Sequence, residues 1–347
     1  MRKLLSILKY SLLLGLSAFL MWYALKELDF EKLWAELHSI RYSWLLLSLL
    51  MGVAAYLSRA YRWHMQIRPT GYTPSFKNTY NAMMVGYLAN LVLPRMGEVV
   101  RCSMLRRTDG IPINKAFGTV IAERFIDLVM LLVFLGLTFL LEVNRLRDFL
   151  VSLFTDKYAS LEQSFGSLYL LGILVMAVGA VFLVLGLLYL NRLRQNAFFR
   201  KAVTFVRGMV QGIFSIAKID NQGAFWGHTL FVWVMYYSMS LVVFYAIPAT
   251  AGLSPVAGLS VLVIGSLGMA APVQGGVGVY HLLVQTVLLL YGIPKEAGMA
   301  YALVAHTSQT LLVVVMGVLS FMAGMLQRTN ATGELAETKA QIHEFER

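Results

Sequence analysis

Cysteine is all but absent. Cys102 is the single one among 347 residues, which excludes disulfides within the chain and any cysteine-based metal centre. Charge is scarce as well: Asp, Glu, Lys and Arg make up 14% of the residues, against about 25% in soluble domains. That is too little polar surface for a water-facing fold. Three stretches, 163–191, 221–294 and 297–327, contain no charged residue at all. Roughly 20 apolar residues cross one hydrocarbon core, so the 74 residues of 221–294 hold more than one crossing. P-loop, protein-kinase, serine-hydrolase and intramembrane-protease signatures are also missing, which disfavours an enzyme.

What is present is 58% hydrophobic residues and a mean hydropathy of +0.68. The reading is an all-α polytopic transmembrane bundle. Acidic residues are outnumbered, 18 against 29 Lys and Arg, for a net charge of +11. The basic residues sit in short loops beside apolar spans, as the positive-inside rule requires, and favour anionic lipid over nucleic acid. Residues 4–25 are too long and lack the cleavage site of a secretory signal, so they read as a retained first span.

Further spans follow at about 42–60, 116–141, 167–190, 224–247 and 298–326, six in all. Loop 26–41 and loop 142–166 are expected outside, and the basic amphipathic stretch 191–223 on the inner surface. Two apolar segments do not fit simple crossings. Residues 78–94 have basic flanks on both sides, and 256–291 are interrupted by Ala271-Pro272-Val273-Gln274-Gly275-Gly276-Val277-Gly278. Both read as re-entrant elements, one in each half, which is the pattern of a transporter-type binding site. Residues 1–326 form one integral membrane domain on this reading, and 327–347 a short polar cytoplasmic tail. Both termini are expected in the cytoplasm of a bacterial cell, with the chain in its inner membrane.

Four constellations carry the polar chemistry. The first is Asn90 to Arg101, where Pro94 and Gly97 break the chain and Arg95, Glu98 and Arg101 surround the break. Glu98 and Arg101 are three apart and can pair on a helix. Free N–H groups of the following helix, together with the arginines, would hold a phosphate; the alternative is a basic turn that only sets topology. The second is Glu123, Arg124 and Asp127 at the start of a span. Ionisable groups there face a partner or a wet cavity, so they either orient the helix through ion pairs, balance the arginines, or bind a coupling cation. The third is Arg59 and Arg62 with Trp63, either an anion site or an interfacial anchor. The fourth is Gln274, Gly275, Gly276 and Gly278 with His281, and His306 in the last span. Glycines at depth expose backbone to a ligand, and the two imidazoles either relay protons or are satisfied within the bundle. His281 and His306 are expected to face one cavity, side by side. No metal site or cofactor is implied.

These residues, in this order along nearly the whole chain, resemble the lysylphosphatidylglycerol synthase transmembrane region, also called the flippase-like domain family. The likeness rests on Arg59 to Trp63, on N-x-x-x-P-x-x-G-E-x-x-R at Asn90 to Arg101, on Glu123-Arg124-x-x-Asp127 and on the Pro272 to Gly278 loop. The resemblance implies a membrane bundle that binds or moves an anionic phospholipid or a lipid-linked headgroup. Two positions depart from it: His281 stands where the family has Glu, and His306 where it often has Arg. The family's soluble aminoacyl-transferase domain has no counterpart in the sequence, so the chain is not expected to make the aminoacylated lipid itself. Two other classes stay open: a non-transporting partner of a lipid or glycan synthase, as a homo-oligomer or a synthase complex, and an intramembrane enzyme on a lipid-linked substrate.

Overall fold

The computed structural model describes residues 2–93, 95–142, 216–271 and 273–345, with side chains from residue 14 to 326 within those ranges. Pro94, Pro272, the span at 167–190, and most of the loop 142–166 and of the stretch 191–223 lie outside the described residues. The chain divides into two units, residues 1–135 with 212–347, and residues 136–211. Of the second unit, only 136–142 are described.

The described residues form ten α-helices and no strand: α1 (Arg2–Leu25), α2 (Phe30–His38), α3 (Tyr42–Ile67), α4 (Phe76–Val92), α5 (Gly97–Asp109), α6 (Ile113–Leu141), α7 (Gln222–Ala246), α8 (Pro255–Ala270), α9 (Val279–Leu290) and α10 (Lys295–Phe345). Stretches within Tyr42–Thr70, Ile113–Leu141, Gln222–Ala246 and Lys295–Leu326 are long and apolar enough to cross a membrane. α3 and α7 are antiparallel neighbours. The amide of Arg41 donates to Ala246 O at one end, and Ser58 Oγ lies 2.8 Å from His228 Nδ1 at the other. The loop expected at 26–41 contains a helix, α2. Asp29 starts it by accepting from the amides of Glu31 and Lys32, and the Lys32 backbone bond holds the Asp29 carboxyl below its ordinary pKa.

α4 and α5 have 17 and 13 residues, α8 and α9 have 16 and 12. At about 1.5 Å per residue even α4 rises only about 26 Å, short of a hydrocarbon core of about 30 Å. Each pair doubles back on itself instead. At the base of the first hairpin, the Ser75 amide and Asn78 Nδ2 both donate to Asp109 Oδ1, at 3.2 and 3.1 Å. Nearer its tip, a Cβ on Gly97 would fall 2.1 Å from Gly86 O, so two glycines let the backbones touch. In the second hairpin Ser260 Oγ lies 2.8 Å from Tyr291 Oη at the base, and Gly268 backs onto the Tyr280 backbone near the tip.

The two tips meet. Gln274 Nε2 donates to Val92 O at 3.4 Å, and Leu91 lies beside Gly275. α10 runs past both hairpins. Its Gly298 sits against Gln285 of α9, His306 against the glycine loop, and Gly317 against Met84 and Leu88 of α4. The hairpins therefore lie end to end along α10, with bases at opposite ends of the bundle, as two re-entrant elements from opposite faces require. Each end has its own apolar core. Phe244, Val261, Leu288 and Tyr301 belong to the core around the second hairpin, and Trp63, Met83, Leu105 and Val120 to that around the first.

Gly97→Ala should destabilise the protein by about 1–3 kcal/mol, the range for overpacking, because its Cβ has no room beside Gly86 O and Asn90 Cγ. Gly227, in α7 with nothing within 4 Å, should gain up to about 1 kcal/mol as Ala from helix propensity. Thermal unfolding of the purified protein in detergent compares the two; equal melting temperatures would contradict the close packing of the hairpin.

Candidate functional site

A carboxylate inside a membrane bundle is costly unless partnered. α6 carries two, Glu123 and Asp127, one turn apart on the same face, and three arginines from two other helices converge on them. From α3, Arg59 donates Nε to Glu123 Oε1 at 2.8 Å and Nη2 to Asp127, while Arg62 Nη2 reaches Asp127 Oδ1 at 2.7 Å. From α5, Arg101 Nη1 lies 2.8 Å from Glu123 Oε2, an ion pair whose angles do not make a hydrogen bond. Tyr236 of α7 accepts from Arg59 Nη1 at 2.9 Å. Four helices are thus tied through one polar knot. Glu123 and Arg62 are wholly buried and Arg101 is 2% exposed.

Aromatic faces wall the knot. The Arg101 guanidinium stacks 4.6 Å over the Trp63 ring, whose Nε1 donates to Thr119 Oγ1 at 2.9 Å. The charges do not balance: three guanidinium groups face two carboxylates. Arg62 Nε and Nη1 and all three Arg101 nitrogens have no hydrogen-bond acceptor among the described residues. Such a set of desolvated donors with an excess positive charge suits an anion or ordered water.

The pair expected between Glu98 and Arg101 is not made. Arg101 turns inward to Glu123, and Glu98 Oε1 instead accepts from Arg124 Nη2 at 3.0 Å. Arg124 reaches Asp127 only at 4.0 Å. One N–H of the helix start expected to be free after the break is taken: Asn90, still inside α4, accepts the Gly97 N–H at 2.7 Å. Arg95 stands apart. It occupies the turn between α4 and α5 with φ of 63°, a left-handed conformation that costs a residue with a side chain about 1–2 kcal/mol. Its side chain is exposed and makes no hydrogen bond or ion pair among the described residues.

The glycine-loop residues form a second group, away from the ionic knot. Gly275, Gly276 and Gly278 have φ of 56°, 74° and 85°, which explains glycine at each. A Cβ on Gly278 would lie 2.8 Å from Leu20 Cβ, so the loop packs tightly on α1. The His281 and His306 rings lie 4.8 Å apart, both buried. Gly275 O accepts from His306 Nε2 at 2.7 Å, and His281 Nδ1 accepts the Gly278 N–H at 3.4 Å. Gln274 is committed to Val92 O. Tyr236 and Thr119 escaped the sequence reading because a Tyr or Thr in an apolar span has no spacing signal of its own.

Helices long enough to cross, two doubled-back hairpins and a buried ionic knot define a multi-pass helical membrane protein. Within that class the chain belongs to the lysylphosphatidylglycerol synthase TM region family, which matches residues 10–317. It is 30% identical over 94 residues to a UPF0104 membrane protein of Methanocaldococcus jannaschii, a match covering 26% of this chain and 28% of the relative. The matched stretch is thus about a quarter of either protein. No solved structure matches the chain. The family is the transmembrane region of the synthase, not its catalytic domain.

Glu123→Gln should cost about 3–5 kcal/mol, as expected when one partner of a buried ionic group is removed, because three arginines would then face Asp127 alone. Glu98→Gln breaks a half-exposed pair and should cost less than about 1 kcal/mol. Yield and melting temperature in detergent should separate the two variants; equal losses would contradict the central role of Glu123.

Proposed function

We propose that this protein is a flippase-like lipid translocator that binds the headgroup of an anionic phospholipid or lipid-linked substrate at the tip of the first hairpin. The observation that carries this reading is Arg95. An arginine side chain is expensive inside a bilayer unless it meets a partner, water or an anionic headgroup. Arg95 is exposed, unpartnered among the described residues and held in a strained turn, while the tips meet beside His306, eleven residues into the spanning part of α10. Strained residues that the surrounding fold over-determines cluster at ligand sites.

Arg124, half-exposed beside Glu98, stands as the second headgroup contact, and Glu98 orients it. Arg59, Arg62 and Arg101 with Glu123 and Asp127 act behind them, fixing the helices that form the groove and adding one excess positive charge. Asn90 shapes the turn. Gln274, Gly275, Gly276 and Gly278 form the facing wall, with His281 and His306 holding it. On this reading the base of the first hairpin and both termini face the cytoplasm of a bacterial cell, and the chain lies in its inner membrane. The soluble face of a synthase is the partner this arrangement would serve.

Arg95→Ala combined with Arg124→Ala should lower retention of phosphatidylglycerol, relative to phosphatidylcholine, by roughly tenfold, the effect of one or two lost charge-assisted hydrogen bonds. Native mass spectrometry of the lipid-loaded protein reads the retention, and dithionite quenching of a fluorescent phosphatidylglycerol in proteoliposomes reads movement between leaflets. Unchanged retention and unchanged movement in a variant of normal melting temperature would refute the site.

A further inference from the structure

A half-open cavity of about 190 Å³ lies at the other end of the bundle, at the base of the second hairpin. It is formed where the end of α1, the face of α9 and the start of α10 meet, and its lining is two-sided. Leu282 and Leu289 make an apolar wall; Glu27, Gln285, Thr286 and Lys295 make a polar one. The volume is below the roughly 300 Å³ of the smallest drug-sized pockets, so it admits a small polar group and leaves any long apolar chain outside.

The hydrogen-bonding character of the polar wall is fixed atom by atom. Gln285 is 7% exposed, and its Nε2 donates to Lys295 O at 3.1 Å. That bond fixes the amide orientation, because only the nitrogen can donate to a carbonyl. The Gln285 side-chain oxygen is left as an acceptor with no protein partner among the described residues. Thr286 Oγ1 gives its hydrogen to Leu282 O at 2.7 Å, so it too can only accept. The Glu27 carboxylate, 3.3 Å from Lys295 Nζ, is a third acceptor. Two ammonium groups stand against these: Lys295 on Glu27 Oε2 at 3.3 Å, and Lys26, outside the lining, on Glu27 Oε1 at 3.8 Å.

We propose that this cavity binds a phospholipid headgroup carrying a primary amine beside its phosphate. The amine supplies N–H donors to Gln285 Oε1 and Thr286 Oγ1, which have none among the described residues, and joins the lysines on Glu27, while the phosphate takes the Lys295 ammonium in exchange for part of its pairing with Glu27. Position favours a membrane lipid as the source. The cavity opens at helix ends beside Tyr23, which is exposed and, like its neighbour Trp22, in reach of the Lys26 ammonium, at 4.5 and 5.7 Å from the ring centres. Aromatic rings beside lysine are the pattern of a headgroup-level belt. The inference does not depend on the arginine site, which lies at the tip of the other hairpin and selects for negative charge alone.

The test is retention by the full chain in nanodiscs of phosphatidylethanolamine, phosphatidylcholine and phosphatidylglycerol, each at equal fraction, read by native mass spectrometry. Phosphatidylcholine has the same charges but no N–H, and phosphatidylglycerol has no amine. At this cavity phosphatidylethanolamine should be retained roughly tenfold more than phosphatidylcholine, the equivalent of one charge-assisted hydrogen bond. Glu27→Gln and Gln285→Leu should each remove most of that preference. Thr286→Val, nearly isosteric on an exposed position, carries the test if the buried Gln285 variant fails to fold, and should halve the preference or more. Equal retention of the ethanolamine and choline lipids by the wild type, or an undiminished preference in folded Glu27→Gln and Thr286→Val, would overturn the assignment. The readout compares two zwitterionic lipids, so it stands or falls separately from phosphatidylglycerol binding at Arg95.

Discussion

Glu123 is the constraint on which the cytoplasm-proximal half of the proposed topology depends. A carboxylate wholly buried in an apolar bundle must be neutralised, and here it draws arginines from α3 and α5 onto α6. Those contacts decide which helices are neighbours. Arg101 can reach Glu123 only if α5 lies back along α4, so the ion pair and the hairpin require one another. Hydrophobic packing alone would not specify that arrangement, since lipid tails are as apolar as the side chains they compete with. The cost of burying charge is offset by this specificity, and near the knot Arg95 and Arg124 still face outward.

The two hairpins solve one problem by different chemistry. The first turns through a strained arginine and fixes its return helix with an asparagine that caps the Gly97 amide. The second turns through three glycines and is held by two imidazoles, one accepting a backbone N–H and one donating to a backbone carbonyl. If both histidines are neutral, each has one ring nitrogen committed to the loop and no charge needs a counter-ion. The family resemblance places an acid and a base at these positions. Two histidines there clamp the loop through backbone hydrogen bonds, and the buried ion pairs among the described residues gather around Glu123.

Much of this was legible in the sequence, and the failures are physical. Charge-free runs gave the helical membrane class, and basic flanks on both sides of 78–94 gave a segment that returns to its own side. The clustering of Glu123 and Asp127 on one face followed from their spacing. The pairing of Glu98 with Arg101 did not follow, because an i,i+3 spacing permits a pair without excluding a better partner from another helix; burial of Arg101 against Trp63 and Glu123 decided the outcome. Asn90 was expected at the break with Pro94 and Gly97, yet it remains helical and works through its side chain. α2 was hidden because its nine residues are too few for periodicity to show, and its cap, Asp29, looks like an ordinary loop residue.

Doubling a short helix back, rather than crossing the bilayer, is what brings non-helical backbone to membrane depth. Between Val92 and Gly97 the chain leaves helical geometry, and the backbone groups there lack the partners that an unbroken helix would supply. Part of the deficit is met locally: Leu93 donates to Ala89 O, Met96 to Leu93 O, and Val92 O accepts from Gln274. The side chains of Val92, Arg95 and Met96 are nonetheless exposed. Irregular backbone facing lipid does not occur in hydrocarbon; it is tolerated only under protein cover or beside water. A turn that combines open backbone, an outward arginine and a glycine loop as its neighbour is therefore suited to a hydrated groove. On the proposed function, the depth that makes Arg95 costly as structure is what would let it carry a charged headgroup through an apolar layer.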